Sequence, residues 1–375
     1  MSQPKVVDAQ FIDFLIASPS QATATEAQRT QPDSTDPAAH DASTRLLHRL
    51  EPTREALWAE VQPDVRRTAG VLVLDDTVLD KPYARKMDLV HHMGSGKHHR
   101  VVKGIDLLTL LWTDGDRHLP CDYRIYDKPN DQKTKNDHFG DLLRVAQDRG
   151  FAPECVLFDG WYSSLENLKQ LRTLGWHWLT RLKSNRRVNP DRTGRRAVSE
   201  CVIVATGTVV HLEGYGLIKV FRIVAKDGTT EHGATSNLAM DEWERLRLAD
   251  ASGRIEEYHR GLKQTTNVER CQCRVGVAQR GHIGLALRAF VVIERWCFRT
   301  GVNWLSAKWQ IVQEAVRAYR LRPRYRMAGT GAQLLRSMRI LAFSKTLGGD
   351  PSYLGNATLP RETRHGRIRF PDRHG

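Results

Sequence analysis

Two apolar runs in this chain end the same way: VLVLD closes at Asp75 and CVLFD closes at Asp159. Each places four apolar residues directly before a carboxylate. Short runs of this kind, apolar on both faces, are the mark of strands inside a sheet covered by helices on either side. A carboxylate at the tip of such a strand is costly unless water or a cation compensates it. Ligand sites in α/β sheets gather at the carboxyl ends of strands, where two such tips can lie side by side.

The surrounding pattern supports an α/β fold. GIDLLTLLWT (104–113) reads as another strand, DHFGDLLRVAQDR (137–149) as a helix, SLENLKQLRTLG as a helix and WHWLTRLKS as a strand. Strand–helix–strand alternation implies parallel pairing in part of the sheet. Before it, residues 1–17 read as a short helix. Residues 18–42, which hold no large apolar side chain, read as a linker or weak helix. STRLLHRLEPTREALWAEV reads as two short helices, capped by Ser43 and Thr53. This helical pair is either a DNA-binding module or simple packing. Residues 185–235 are β-branched and punctuated by glycine, as in a small antiparallel insertion. Helical pattern then runs with breaks from about 240 to 345, and 348–375 reads as a poorly ordered tail.

The third acid comes from RIEEYHRGLK (254–263). On a helix Glu256, Arg260 and Lys263 share a face, while Ile255, Tyr258 and Leu262 form an adjoining apolar stripe. Glu257 points about 100° away from Glu256. Carboxylate oxygens suit hard divalent cations, and Lys and Arg suit phosphate, one as a point charge and one as a fork.

Charge points the same way. A formal net charge of +14 and a pI of about 9.7 suggest a polyanionic partner such as nucleic acid. TRLKSNRRVNPDRTGRR (180–196), with Lys183 and Arg186, carries seven bases and one acid. It reads as a DNA-backbone contact or a solvated hairpin. RAYRLRPRYR (317–326) interleaves five Arg with Tyr319 and Tyr325, and ERCQCR sets Arg270 and Arg274 one turn apart if helical. HHMGSGKHHR (91–100) matches no metal-ligand spacing and reads as a mobile turn. The six cysteines form no disulfide or zinc pattern and read as reduced thiols. No apolar run reaches the ~20 residues of a membrane span. A cytoplasmic, nucleoid-associated protein is expected, with no membrane contact.

VLDDT, LFDGWYSS and RIEEYHRGLK together resemble the three catalytic blocks of bacterial insertion-sequence DDE transposases, in the branch with a β-rich insertion between the second Asp and the Glu. The resemblance spans about residues 70–300. It implies an RNase H-like core with helical N- and C-terminal regions, divided as 1–69, 70–184, the insertion 185–238, 239–300, 301–347 and a tail 348–375. It implies a catalytic and metal-holding triad of Asp75, Asp159 and Glu256, with Asp76 as alternative to Asp75. It implies two Mg²⁺ ions, replaceable by Mn²⁺, serving phosphoryl transfer. The partner would be double-stranded DNA, as terminal inverted repeats and target, gripped by a homodimer. The reaction would cleave the transposon end and join its 3′-OH to target DNA. A nuclease of the same fold that never joins, and a DNA-binding remnant that never cuts, are the alternatives. Lys263, Arg260, Arg254, Arg270, Lys183 and Arg186 would contact DNA. The chain departs from the family signature Tyr-x2-Arg-x3-Glu-x6-Lys, with Ala249 and Ser252 at the Tyr and Arg positions; Arg254 is the substitute at hand. No Trp lies between Trp178 and Trp243, where some relatives carry one that stacks on a flipped base.

Overall fold

A computed structural model describes residues 4–19, 22–33, 35–50, 54–95, 100–225 and 227–322. Four helices lead: α1 Asp8–Ala17, α2 Ala24–Arg29, α3 His40–Arg49 and α4 Arg54–Val61. Then come β1 Val71–Asp80, β2 His91–Ser95, β3 Arg100–Thr113 and β4 His118–Tyr126. After α5 Lys128–Asp131 and α6 Lys135–Asp148 follow β5 Val156–Phe158, α7 Leu165–Thr173 and β6 Trp178–Leu182. The insertion supplies β7 Arg187–Asn189, β8 Arg196–Ala197, β9 Thr208–Leu212, β10 Gly216–Val224 and β11 Thr230–Thr235. The helices α8 Glu242–Thr265, α9 Gly276–Thr300 and α10 Trp304–Leu321 complete the described chain. Residues 1–316 form one unit and 317–375 a second, of which the described part is the end of α10.

The sheet is mixed. β3 runs antiparallel between β1 and β4, while β5 and β6 run parallel to β1. The order β4-β3-β1-β5-β6 is the RNase H-like arrangement that the resemblance implied. The insertion is antiparallel, as expected, and it also continues the main sheet: β11 pairs with β6, β10 with β11 and β9 with β10.

Apolar residues of β1 and β5, Val71 to Leu74 and Val156 to Phe158, are buried on both faces. α6 and α7 each start on a side-chain cap, Thr134 with Asp137 and Ser164. α9 is buried along most of its length, with Ile283, Leu287, Phe290 and Val291 almost wholly covered. The N-terminal helices pack on it: Phe11 meets His282 edge-on, and Arg288 joins Asp8 and Glu60. The helical pair α3 and α4 packs on α9 as well.

Several local expectations change. α3 begins at His40, with Ala39 at its cap position, so Ser43 lies inside the helix and buried rather than capping it. Thr53 lies outside the described residues. The stretch 18–42 contains the short helix α2, and its small residues Ala22, Ala27 and Ala38 are buried. The histidine-rich segment forms β2 and the start of β3, paired from His91↔Gly104 to Ser95↔Arg100, with its tip outside the described residues. Residues 271–274 are not helical, so Arg270 and Arg274 do not lie a helical turn apart. Of RAYRLRPRYR, residues 317–321 end α10 and 323–326 lie outside the described residues. The tail 348–375 lies outside them too. All six cysteines are unpaired. No described helix is long and apolar enough to cross a membrane.

Candidate active site

The parallel ladder between β1 and β5 ends at Leu74↔Phe158. The next residue in each segment is the aspartate, so the register sets Asp75 beside Asp159. Asp159 follows the end of β5 as expected, but β1 runs on to Asp80 in its pairing with β3, so Asp75 lies within the strand and not at its tip. Asp75 is cross-strand partner of Thr109, and Tyr258 of α8 lies beside Thr109 on that face. Asp75 therefore looks towards α8, whose Ile255, Tyr258 and Leu262 are buried as the apolar stripe predicts. Burial is the main cause that pushes the Asp75 carboxyl up to about 8. The neighbouring charges of Asp76, Asp159 and Glu256 add to it. Two of the acids read from the sequence, Asp159 and Glu256, thus act on the third, Asp75; Asp159 and Glu256 are exposed and Asp75 is half-buried.

Asp76 sits one residue on and points to the other face, as strand alternation requires. It accepts hydrogen bonds from Lys135 Nζ at 2.7 Å and from the Tyr162 hydroxyl. Lys135 also pairs with Asp106, a fully buried residue of β3. Burial opposes ionisation of Asp76, but Lys135 and Tyr162 outweigh it and hold its pKa low. Burial and the charge of Asp76 push Asp106 up to about 7 against the pull of Lys135. Asp76 is thereby committed to a closed polar cluster, while Asp75 faces the other two acids.

Asp159 caps the single 3₁₀ turn Gly160–Tyr162, accepting from the Gly160 N–H at 2.6 Å. A Cβ on Gly160 would stand 2.8 Å from the Arg181 carbonyl oxygen, so the close approach of β6 requires glycine here. Trp161 follows, 60% exposed, with Lys183 Nζ 5.3 Å from its ring centroid. An exposed tryptophan thus adjoins the second Asp, outside the β-rich insertion.

The basic residues differ in what they do. Lys263 donates to the Val78 carbonyl at 2.6 Å and pairs with Glu269 at 3.2 Å, so it ties α8 to β1. Arg260 is exposed and has no ion pair among the described residues. Arg254 pairs with Glu257 and Asp250 on its own helix. Lys183 lies exposed at the end of β6, and Arg270 is exposed beyond α8. Arg186 is half-buried, and burial lowers its pKa.

The donor chemistry fits a hard divalent cation: three carboxylates, one of them raised by burial first and by neighbouring acids after it, a charge cost that a cation would relieve. Among the described residues, though, no three acidic, histidine or cysteine side chains stand close enough to share one ion.

Sequence reasoning missed Asp106, Lys135 and Tyr162. A signal existed for Asp106, a lone acid inside the apolar run GIDLLTLLWT. Lys135 carried none, since its role depends on α6 packing over β3 and β4.

A family model described as "DDE superfamily endonuclease" matches residues 27–198, a span that includes Asp75 and Asp159. No curated protein matches. A solved structure, the piggyBac transposase synaptic complex with hairpin DNA, aligns with 93% of this chain and 78% of its own, at 12% identity and a TM-score of 0.47. Residues 27–198 are thus similar to the DDE superfamily endonucleases, over a span that holds the first two motif blocks, VLDDT and LFDGWYSS, and not the third.

Proposed function

We propose that this chain is a DNA transposase, cleaving the ends of its element and joining the freed 3′-OH to target DNA. The observation that carries the reading is the β1–β5 register, which brings Asp75 beside Asp159, together with the charge of Glu256 felt at Asp75. Divalent ions, Mg²⁺ or in its place Mn²⁺, would be held by Asp75, Asp159 and Glu256. They would supply charge stabilisation at the attacking and leaving oxygens. The chain does the rest. The turn after Asp159 fixes that carboxylate through the Gly160 N–H. Tyr258 and Leu262 seat α8 on the sheet and so set where Glu256 stands.

Arg260, Lys183, Arg186, Arg254 and Arg270 are the DNA contacts in this reading, with Arg260 best placed to meet phosphate because it has no ion pair among the described residues. Lys263 helps indirectly, by holding α8 against β1. The duplex of the inverted repeats and the target is the substrate, and cutting paired ends calls for a second copy of the chain. The match to DDE superfamily endonucleases supports the nuclease half of the proposal.

The test is cleavage of a labelled duplex carrying the DNA that flanks the gene, with a target plasmid present. The parent should cut at the element's end and transfer it into the plasmid. Glu256→Gln should lower both by at least ~10²-fold, since a lost metal ligand costs several kcal/mol of transition-state stabilisation. Cutting without transfer would leave a nuclease. Binding without cutting in Mg²⁺ or Mn²⁺ would refute catalysis.

A further inference from the structure

A cavity of about 720 Å³ lies between the segment after β1, residues 80–87, and the turn 269–274. Its two walls are held together from within. Lys81 Nζ donates to the carbonyls of Glu269 at 2.6 Å and Cys271 at 2.7 Å. The Asp88 N–H donates to the Arg274 carbonyl, and the Gly276 N–H donates back to the Asp88 carboxylate at 2.8 Å. This clamp makes the cleft part of the fold rather than a gap between loops.

The lining carries five bases, Lys81, Arg85, Lys86, Arg270 and Arg274, against Asp80 and Glu269. Glu269 is already taken by Lys263 and the Asp80 N–H. Arg85, Lys86, Arg270 and Arg274 are exposed and make no ion pair among the described residues. Tyr83, at the rim, is 94% exposed. Unpaired guanidinium groups with an open aromatic ring suit a phosphate backbone and an unpaired base. The volume is that of a small-ligand site, enough for a few atoms of backbone and a base but not for a double helix.

Position links the cleft to the acids. Asp80 ends β1 five residues after Asp75, or roughly 17 Å at ~3.3 Å per residue. At ~3.4 Å of axis per nucleotide, that is about five nucleotides along one strand.

We propose that this cleft takes a single DNA strand, about five nucleotides from the phosphate under attack, with Arg85, Lys86, Arg270 and Arg274 on its phosphates and Tyr83 stacked on a base. The proposal rests on the DNA-directed reading above and adds to it a separated strand near the cut.

The test compares binding of a labelled single strand and its duplex across a salt series, using the full chain. Removing two phosphate contacts by Arg85→Ala with Arg274→Ala should lower the single-strand salt slope by ~1.4, and affinity near 0.15 M salt by roughly 10-fold. Tyr83→Ala should weaken single-strand binding by roughly 5-fold or more, the effect of one lost base stack, and leave the slope unchanged. Lys169→Ala, an exposed charge on α7, serves as control. Unchanged single-strand affinity in both cleft variants overturns the proposal, as does a loss no larger than the control's or confined to duplex. If the cleft variants bind as the parent does while Glu256→Gln still blocks cleavage, the cleft assignment fails and the transposase reading stands. If the cleft variants show the expected losses but the parent never cuts, the cleft stands and the catalytic reading fails.

Discussion

Asp75→Asn should make the metal-free protein more stable. The folded state raises this carboxyl from 3.8 to about 8, with burial first and the neighbouring acids after it. An acid with a raised folded pKa favours the folded state only while protonated. The cost begins to grow as pH rises above 3.8 and levels off above about 8. Working the two values through linkage gives ~4 kcal/mol at pH 7 as an upper bound, at 1.36 kcal/mol per unit. Asparagine nearly keeps the shape and cannot ionise, so it removes this cost. Unfolding entropy of about 2.1 cal/mol/K per residue over a 316-residue unit turns the bound into a Tm gain of roughly 6 °C. The assay is thermal unfolding in chelator from pH 5 to 8.5. The variant's advantage should widen with pH, and added Mg²⁺ should raise the parent's Tm and leave the variant's nearly unmoved. An advantage independent of pH, or a variant less stable than the parent at pH 8, would refute the reasoning.

Lys135→Met should be severe, because it strips the cation from two carboxylates at once, half-buried Asp76 and fully buried Asp106. Breaking such a cluster costs ~3–5 kcal/mol, and calorimetry should show Asp106→Asn in the same chain recovering part of it. Gly160→Ala forces a methyl to 2.8 Å from the Arg181 carbonyl. Overpacking of that kind costs ~1–3 kcal/mol, and the shift of Asp159 should lower cleavage well beyond the loss in folded protein at assay temperature. Lys263→Met should lower stability even without DNA, since its ammonium joins α8 to Val78 and Glu269. A Tm equal to the parent's would return Lys263 to a purely DNA-facing role.

The two aspartates were legible because their signal is local: four apolar residues, then an acid, twice. The strand end was legible only for Asp159, since β1 runs on through Asp75 to Asp80. The stripe Ile255, Tyr258 and Leu262 was legible for the same reason, since helical periodicity alone fixes a buried face. β4 was not. HLPCDYRIY contains Pro120 and the acid Asp122, which argue for a turn. The fold accommodates them with a register shift near Pro120 and a buried pair between Asp122 and Arg124 at 2.7 Å. Long-range contacts were equally hidden. Lys263 shares a helical face with Glu256, which made it look like a phosphate contact, but its ammonium is engaged by a backbone carbonyl and an acid far away in sequence. Spacing within a helix says which side chains share a face and nothing about what the fold puts opposite them.

That limit explains the paired aspartates of β1. On sequence alone Asp75 and Asp76 are interchangeable up to a choice of face. The fold makes them opposites. Asp76 is kept ionised by Lys135 and Tyr162, so its charge is satisfied inside the protein and unavailable to a ligand. Asp75 is given no cation by the described chain, only the charges of Asp76, Asp159 and Glu256. The fixed negative charge of Asp76 directly behind it raises its cost of ionising further. A carboxyl so placed ionises readily only when positive charge arrives from outside. Neutralising Lys135 should then raise the Mg²⁺ affinity of Asp75 if Asp76 stays ionised, and leave it unchanged if Asp76 takes up a proton in the lysine's place. Mg²⁺ titration of the unfolding temperature in the parent and in Lys135→Met, repeated at two pH values, separates the two: the raised Asp75 makes both affinities climb with pH, and a protonated Asp76 makes the variant's climb more steeply than the parent's.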